Sequence, residues 1–159
     1  RFEQTYFEQS FQNQNRLMEN KDIRWMQRFH NYRKALTKLT EVVDRGLDSL
    51  SELEIEGMIQ RFEYTYELAW TTLQDLMRER GYPDIKGPGP VFEQALADGY
   101  IKGEQEWRKL KSSRQLTSHT YDEETASDIA ESIIEVYHGL FVQLETRLQL
   151  EKIQQEKQS

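Results

Sequence analysis

The sequence predicts an all-α protein, an up-and-down antiparallel helical bundle of four to five helices, and three observations carry this prediction. Among its 159 residues there are only 8 Gly and 3 Pro, fewer chain-breaking residues than a sandwich or barrel would require. Charged residues make up 31% and hydrophobic residues 36%, a balance typical of long amphipathic helices. Apolar residues also recur at alternating steps of four and three, which is the spacing of one helix face.

The first two long helices each show one such apolar stripe. The first helix is predicted from about Asp22 to Asp44, and its stripe consists of Trp25, Phe29, Tyr32, Leu36, Leu39 and Val43. Ser51 and Glu54 have the spacing of a capping box and predict the start of a second helix, which ends near Arg80 before Gly81. Its stripe consists of Ile55, Ile59, Phe62, Tyr66, Ala69, Leu73 and Leu76.

The second half of the chain predicts two shorter helices and one long one. A loop over residues 81–90 precedes a short helix that stops near Gly99, and another helix begins near Trp107. Thr120 and Glu123 have the spacing of a second capping box, which predicts the start of the long final helix. That helix has two neighbouring stripes, a face wide enough for packing on two sides, either centrally in the bundle or in a subunit interface. The stripes are Ala126, Ile129, Ile133, Val136 and Leu140, and Ala130, Ile134, Tyr137, Phe141, Leu144 and Leu148.

This pattern predicts one domain over residues 21–150. Residues 1–20 are interpreted as a polar N-terminal tail, rich in Gln and Asn, with Met18 as an alternative natural start. Residues 151–159 are interpreted as a polar C-terminal extension. Because the chain has no Cys and no long apolar run, we expect a soluble protein in the cytoplasm.

The charge pattern bears on nucleic-acid binding. A net charge of -7 argues against a general coat for nucleic acids, because binding to phosphates relies on clustered Lys and Arg. Any contact with a polynucleotide is therefore expected to be local. The sequence offers one basic cluster for it, made of Lys102, Arg108, Lys109, Lys111 and Arg114.

The candidate site is the segment from Arg114 to Tyr121. Helical spacing places Arg114 on the same face as Trp107 and Leu110, so its charge needs a cleft or a partner, unless the side chain runs past the core to water. His119 lies in a loop ahead of the final helix, and histidine exchanges protons near neutral pH. An Arg that holds a phosphate and a His that moves a proton can together cut RNA through its own 2′-hydroxyl, with no metal or other cofactor. Tyr121 is a candidate for stacking on a base, although Arg and His also recur at such spacing by chance.

The segment SSRQLTSHTYDEETA resembles the R-x4-H-x-Y motif of HEPN-domain proteins, in the branch of nucleotidyltransferase substrate-binding proteins or HepT-like toxins. Three further segments are similar to the same branch, so the likeness spans about Met18 to Leu148. They are KDIRWMQRFHNYRKALTKL, FEYTYELAW and GYPDIKGPGPVFEQALADGYI. The residue after the motif Arg, often Asn, Asp or His in that branch, is Gln115 here.

The resemblance implies a helical bundle that forms a homodimer or a higher homo-oligomer, in which two copies of the motif line one cleft. It implies that Arg114 and His119 are the ribonuclease residues, acting without metal on RNA, with tRNA among the candidate targets. The partner implied is a cognate minimal nucleotidyltransferase, an antitoxin that silences the toxin by adding AMP to Tyr121. The residues that we expect to contact the substrate are Arg108, Lys111, Gln115 and Ser118.

Three hypotheses stay open from the sequence. The chain is a toxin ribonuclease, a non-catalytic subunit that binds substrate for a small nucleotidyltransferase or regulates it, or a helical dimer whose motif is inherited but idle. The first two overlap, because a toxin that a nucleotidyltransferase neutralises must also bind that enzyme.

Overall fold

The computed structural model describes the backbone of residues 2–158 and the side chains from Arg24 to Gln158, with those of Thr5, 8–10, 12 and 13. Six α-helices follow one another along the chain, and no β-strand occurs among residues 2–158. A 3-10 turn follows α1, another follows α4, and a π-helical turn at Ile133–Tyr137 joins α5 to α6. The helices are α1 (Phe2–Val43), α2 (Glu52–Glu79), α3 (Pro88–Asp98), α4 (Glu104–Leu116), α5 (Glu123–Ser132) and α6 (His138–Gln158).

The first long helix runs antiparallel to each of the other two. Near the end of α1, Thr40 bonds to His138 at the start of α6, whereas Trp25 donates to Gln155 near the end of α6. Because the end of α1 meets the start of α6 and a residue further back along α1 meets the end of α6, these two helices are antiparallel. The pairs of Arg28 with Asp75 and of Glu41 with Arg61 show the same relation between α1 and α2. The up-and-down bundle of three long and two shorter helices is therefore confirmed, with α5 and α6 acting as one long helix.

The core is built from the predicted stripes and has an aromatic centre. The Phe141 ring lies within 6.4 Å of the rings of Tyr32, Phe62 and Trp107, measured between centroids, so it links α6 to α1, α2 and α4. Tyr32 donates its hydroxyl to the Phe141 carbonyl at 2.6 Å. Burial raises the pKa of Tyr32 well above its ordinary value, so the hydroxyl remains a donor. The wide face of the final helix is thus explained by a central position in the bundle.

The capping boxes had different outcomes. Ser51 accepts from the Glu54 amide at 3.1 Å while the Glu54 carboxylate accepts from the Ser51 amide at 3.0 Å, so the first box is confirmed. The second prediction is wrong, because α5 is capped by Asp122 and not by Thr120. The chain turns once more after the 3-10 segment, which leaves Asp122 directly before the first helical residue. Its carboxylate accepts from the Thr125 amide at 3.3 Å.

Both ends of the chain, and one internal boundary, differ from the predicted element limits. Helix α1 begins at Phe2 and not near Asp22, so the polar N-terminal segment continues the helix that packs in the bundle. Helix α6 runs on to Gln158. The loop predicted over residues 81–90 is shorter than expected, because Pro88 opens α3, a first-turn position that tolerates its missing N–H. Arg1 and Ser159 lie outside the described residues, and the division into tail, domain and extension stays a prediction.

A buried polar contact fixes α4 against the π-helical turn. The hydroxyls of Ser113 and Tyr137 lie 2.6 Å apart, and Tyr137 also lies 3.2 Å from the Lys109 carbonyl. Tyr137 is fully buried and Ser113 nearly so, hence these bonds satisfy groups that water does not reach. The residue after Ser113 is Arg114, so this contact sets where the end of α4 lies. Among the described residues, no helix is both long and apolar enough to cross a bilayer.

Candidate functional site

The motif occupies the junction between α4 and α5. Arg114 is in the last turn of α4, the 3-10 turn Thr117–His119 follows at once, and Tyr121 directly precedes the Asp122 cap of α5. Arg114, His119 and Tyr121 therefore all lie in the short connection between the end of α4 and the start of α5.

Arg114 lies between α4 and α2, where three side chains of α2 surround its guanidinium. The guanidinium nitrogens lie 3.6 Å from a carboxylate oxygen of Glu63 and 3.6 Å from one of Glu67. Its carbon atom lies 5.9 Å from the centre of the Tyr66 ring. The Arg114 side chain keeps 30% of its surface exposed. The expectation that this charge needs a partner is thus met, while one side of it remains open to a ligand.

Thr117 connects Arg114 to the turn that carries His119. A guanidinium nitrogen of Arg114 donates to the Thr117 hydroxyl at 2.8 Å, and that hydroxyl donates to the Arg114 carbonyl at 2.7 Å. Thr117 is buried, so water does not compete strongly for these bonds. The direction of the Arg114 side chain is therefore coupled to the conformation of the 3-10 turn.

His119 and Tyr121 form a pair on the exposed side of the junction. The Nδ1 atom of His119 lies 3.2 Å from the Tyr121 hydroxyl, and the two rings meet edge to face with centroids 5.8 Å apart. The Tyr121 side chain is 83% exposed. The phenol of Tyr121 is therefore accessible from solvent and lies beside an imidazole.

The four residues predicted to bind substrate lie on or just after α4. Arg108 and Gln115 are exposed, Lys111 is half-buried, and Ser118 is exposed with its hydroxyl 3.3 Å from the Gln115 carbonyl. Arg108 pairs with Glu104 at 2.6 Å across one exposed turn, so its charge is partly neutralised.

Arg108, Lys111 and Gln115 line a cleft of about 360 Å³ between α3 and α4. Its floor is formed by Phe92, Leu96 and Trp107. Gly89 allows the Lys111 ammonium to approach the first turn of α3, since a Cβ atom there would lie 3.0 Å from that nitrogen. A larger groove of about 650 Å³ lies between α1 and α2, but none of the motif residues lines it.

Some residues of the site could not be recognised in the sequence. Glu63 and Glu67 are four residues apart, on either side of the buried Tyr66, so their side chains lie on one face of α2. The apolar stripes do not show which helix faces Arg114. Phe62 and Tyr66 are buried, as predicted, whereas Trp70 is half-buried and donates to Glu67 at 2.9 Å. His138 lies away from the motif, where it contacts Thr40 at 2.8 Å, and burial lowers the pKa of His138.

Comparison with known proteins identifies the family of this helical bundle. The family model described as "Nucleotidyltransferase substrate binding protein like" matches residues 27–150. The chain therefore belongs to this family, which confirms the resemblance noted in the sequence.

Three relatives are informative. A Haemophilus influenzae protein named "Probable ribonuclease HepT" is 34% identical over 76 residues, which are 45% of this chain and 52% of that protein. The chain thus matches about half the length of this relative. A Thermus thermophilus protein of known crystal structure has 34% sequence identity to this chain and a TM-score of 0.65. The match covers 74% of this chain and 98% of the Thermus thermophilus chain. HI0074 from Haemophilus influenzae, described as the fold of a substrate binding domain of a nucleotidyltransferase, is 24% identical with a TM-score of 0.58. It covers 79% of this chain and 96% of its own, and this likeness concerns the fold alone.

Proposed function

We propose that this protein is the toxin of a toxin–antitoxin pair, a metal-independent endoribonuclease that a nucleotidyltransferase silences by adding AMP to Tyr121. The observation that carries the proposal is the junction of α4 and α5, where a partly exposed Arg114 is hydrogen-bonded to the turn that presents His119 and Tyr121. The similarity to a protein named as a probable ribonuclease supports the same chemistry.

Arg114 is suited to hold a phosphate because part of its side chain remains exposed. A guanidinium has five N–H donors, and one contact of Arg114, to Thr117, is within hydrogen-bond distance. The contacts to Glu63 and Glu67 at 3.6 Å are ion pairs and not hydrogen bonds. Donors on the exposed side can therefore bind two oxygens of a scissile phosphate and stabilise the charge that develops there.

His119 supplies the proton transfer. In the proposed reaction the 2′-oxygen of the RNA attacks the adjacent phosphorus and the bond to the 5′-oxygen breaks. His119 accepts the proton of the 2′-hydroxyl or gives one to the leaving 5′-oxygen. The products are a 2′,3′-cyclic phosphate and a 5′-hydroxyl. In a homodimer with two motifs in one cleft, one His119 can act as base and the other as acid.

The exposed face of α4 offers a path for the rest of the RNA. Arg108, Lys111 and Gln115 line the cleft against α3, next to the turn that carries Arg114 along the same helix. Their charges are local in a chain whose net charge is -7, which suits binding of a short single-stranded segment more than a long duplex. Ser118 adds a hydroxyl on the exposed side of the 3-10 turn.

Addition of AMP to Tyr121 explains how a partner would silence the enzyme. The Tyr121 oxygen attacks the α-phosphorus of ATP, pyrophosphate leaves, and the phenolic proton passes to a base. The product carries a phosphodiester on the Tyr121 oxygen. In the unmodified protein this oxygen lies 3.2 Å from Nδ1 of His119, so the added negative charge lies beside the imidazole. That charge occupies the space of an RNA phosphate and repels it.

A decisive experiment uses the protein purified without its partner and a single-stranded RNA substrate, with a chelator present. We expect cleavage to a 2′,3′-cyclic phosphate, and a loss of rate on the order of 100-fold or more in His119→Ala and Arg114→Ala. His30→Ala, at an exposed histidine of α1, is the matched control and should cleave like the wild type. Equal rates in wild type and His119→Ala would overturn the proposal.

The second candidate is a non-catalytic subunit that binds substrate for a nucleotidyltransferase. The pairing of Arg114 with two carboxylates favours it, because this neutralises the charge that RNA cleavage needs. Copurification with a nucleotidyltransferase of the same cell, combined with absence of RNA cleavage by the free protein, would support this alternative. The family to which the chain belongs is consistent with either role.

A further inference from the structure

Glu67 is held by two contacts that give its carboxylate a fixed direction. One oxygen accepts from the Trp70 indole nitrogen at 2.9 Å, and the other lies 3.6 Å from Arg114. Trp70 is half-buried and one turn away on the same helix, so its indole ring has little freedom to move. The hydrogen bond from Trp70 therefore directs the carboxylate towards the guanidinium.

Glu63 and Tyr66 complete the surroundings of Arg114 on α2. Glu63 lies one turn before Glu67, with a carboxylate oxygen 3.6 Å from Arg114. Tyr66 lies under the guanidinium and is almost completely buried. Burial, with a smaller contribution from Glu67, raises the pKa of Tyr66 to about 12, so its ring is uncharged at neutral pH.

The geometry holds the guanidinium largely through charge, with one hydrogen bond, to Thr117. Two carboxylates on one side of Arg114 attract it towards α2, but at 3.6 Å neither one takes up a hydrogen of the guanidinium as a normal bond would. The long Arg side chain would otherwise sample many rotamers and would lose conformational entropy on binding RNA. Holding it in one direction beforehand reduces this entropic cost of binding. The two carboxylates also exceed the single positive charge of Arg114, so they place negative charge close to the proposed phosphate position.

We propose that Glu67, oriented by Trp70 and assisted by Glu63, positions Arg114 for phosphate binding. The proposal rests on the proposed ribonuclease function. These residues act through Arg114 and do not touch the RNA, so they are positioning residues and not catalytic ones. Their negative charge has the further effect of weakening the binding of RNA before the reaction, because it repels phosphate.

This assignment predicts different effects on kcat and KM. Glu67→Gln removes the charge and should lower kcat about 10-fold, since Arg114 is less well placed, while it lowers KM because the repulsion is gone. Trp70→Phe removes the hydrogen bond but keeps the charge and the aromatic packing. It should lower kcat by a similar factor with KM nearly unchanged. A loss of general stability would not produce this split.

The test compares wild type, Glu67→Gln, Trp70→Phe and the double variant in cleavage of one RNA oligonucleotide. If Trp70 acts only through Glu67, the double variant has the kcat of Glu67→Gln alone. Glu56→Gln, at an exposed carboxylate of α2, is the matched control. Wild-type kcat in both single variants, or multiplied losses in the double variant, would overturn the positioning role and leave the ribonuclease function intact.

A second measurement separates this inference from the proposed function. In ¹⁵N NMR spectra, the guanidinium resonance of Arg114, assigned by its loss in Arg114→Lys, should report a side chain that is immobile in the wild type. It should become mobile in Glu67→Gln and in Trp70→Phe. If the wild type cleaves no RNA, the proposed ribonuclease function is wrong. The resonance still tests whether Glu67 and Trp70 position Arg114. An Arg114 side chain equally immobile in all three proteins would contradict it.

Discussion

Arg114 shows how a charged side chain can be held at the edge of a packed core. Helical spacing places it on the same face of α4 as the buried Trp107 and Leu110, yet its guanidinium reaches two carboxylates and one hydroxyl. Its Nε atom is buried and lacks a hydrogen-bond partner among the described residues. Leaving a buried donor unpaired is unfavourable, so the contacts of the other guanidinium nitrogens must offset this cost.

Substitution of Tyr121 tests the proposed addition of AMP separately from RNA cleavage. Tyr121→Phe should cleave RNA at a rate close to the wild type in the absence of the nucleotidyltransferase. With the nucleotidyltransferase and ATP, it should remain active, because it lacks the oxygen that accepts AMP. Mass spectrometry of the intact protein measures the added AMP, and an RNA cleavage assay measures the silencing.

Tyr64→Phe is the matched control for this experiment. Tyr64 is also an exposed tyrosine, at 58% exposure, but it lies on α2 and lines the groove against α1. We expect this variant to be modified and silenced like the wild type. Modification of Tyr121→Phe to the same extent as the wild type would place the acceptor elsewhere.

The site residues differ in how far they could be predicted. Arg114, His119 and Tyr121 follow from a contiguous motif, and the structure brings His119 and Tyr121 into contact. Glu67 could not be assigned, because its role depends on which face of α2 meets α4. Such a relation joins segments distant in the chain, and neither helical period nor capping pattern encodes it.

Among the helices, α2 has the best defined start. The Ser51–Glu54 box satisfies two amides of the first turn, and Arg45 bonds to the same Glu54 carboxylate from the preceding turn. These contacts lower the pKa of Glu54 to about 2, chiefly through the hydrogen bond from the Ser51 amide and then through Arg45. The first turn of α2 is therefore linked to an ionised carboxylate.

This shift predicts a pH-dependent stability. Because the pKa of Glu54 is lower in the folded protein than its ordinary value of 4.5, its charged form stabilises the fold above that value. The contribution should disappear as pH falls from about 4.5 to about 2. Glu54→Gln keeps a capping side chain without the charge, so its stability should lie below that of the wild type at neutral pH and converge with it in acid.

Urea unfolding at a series of pH values measures this difference. Glu56→Gln, two residues further along α2, serves as the control, and its difference from the wild type should not follow the same pH range. A constant gap between wild type and Glu54→Gln from neutral pH down to the acid end of that range would show that Glu54 is not the group responsible.

Local rules succeeded at some helix ends and failed at others for one reason. At Ser51 the chain is extended and enters the helix at the next residue, so the four-residue spacing applies directly. At Thr120 the backbone is still in a helical turn, and the extended conformation comes at Asp122. Thr120 and Asp122 both have a side chain suited to capping, so only the path of the backbone through the turn decides which of them caps α5.

Across the whole molecule, Phe141 is the residue that joins the largest number of elements described above. Its ring contacts aromatic rings of α1, α2 and α4, while its carbonyl accepts from Tyr32. Because α4 carries the motif, packing in the centre of the bundle also determines how the α4–α5 junction faces α2.

Phe141→Ala should therefore destabilise the whole domain. Loss of a fully buried ring and the cavity that remains cost about 3–5 kcal/mol. We expect a lower urea midpoint with a single cooperative transition. Val142→Ala, at the next residue and 39% exposed, should change the free energy of unfolding by only about 0.5 kcal/mol. Similar losses in the two variants would argue against a single core centred on Phe141.

The helical class, the three long apolar faces, the capping of α2 and the motif all follow from the amino-acid order, because each depends on residues a few positions apart. The surroundings of Arg114 do not. They arise where α2 and α4 pack around Tyr66 and where Tyr137 holds α4 in place. Packing of distant segments decides which carboxylates approach the guanidinium, and hence how its charge is held and which of its donors face outward.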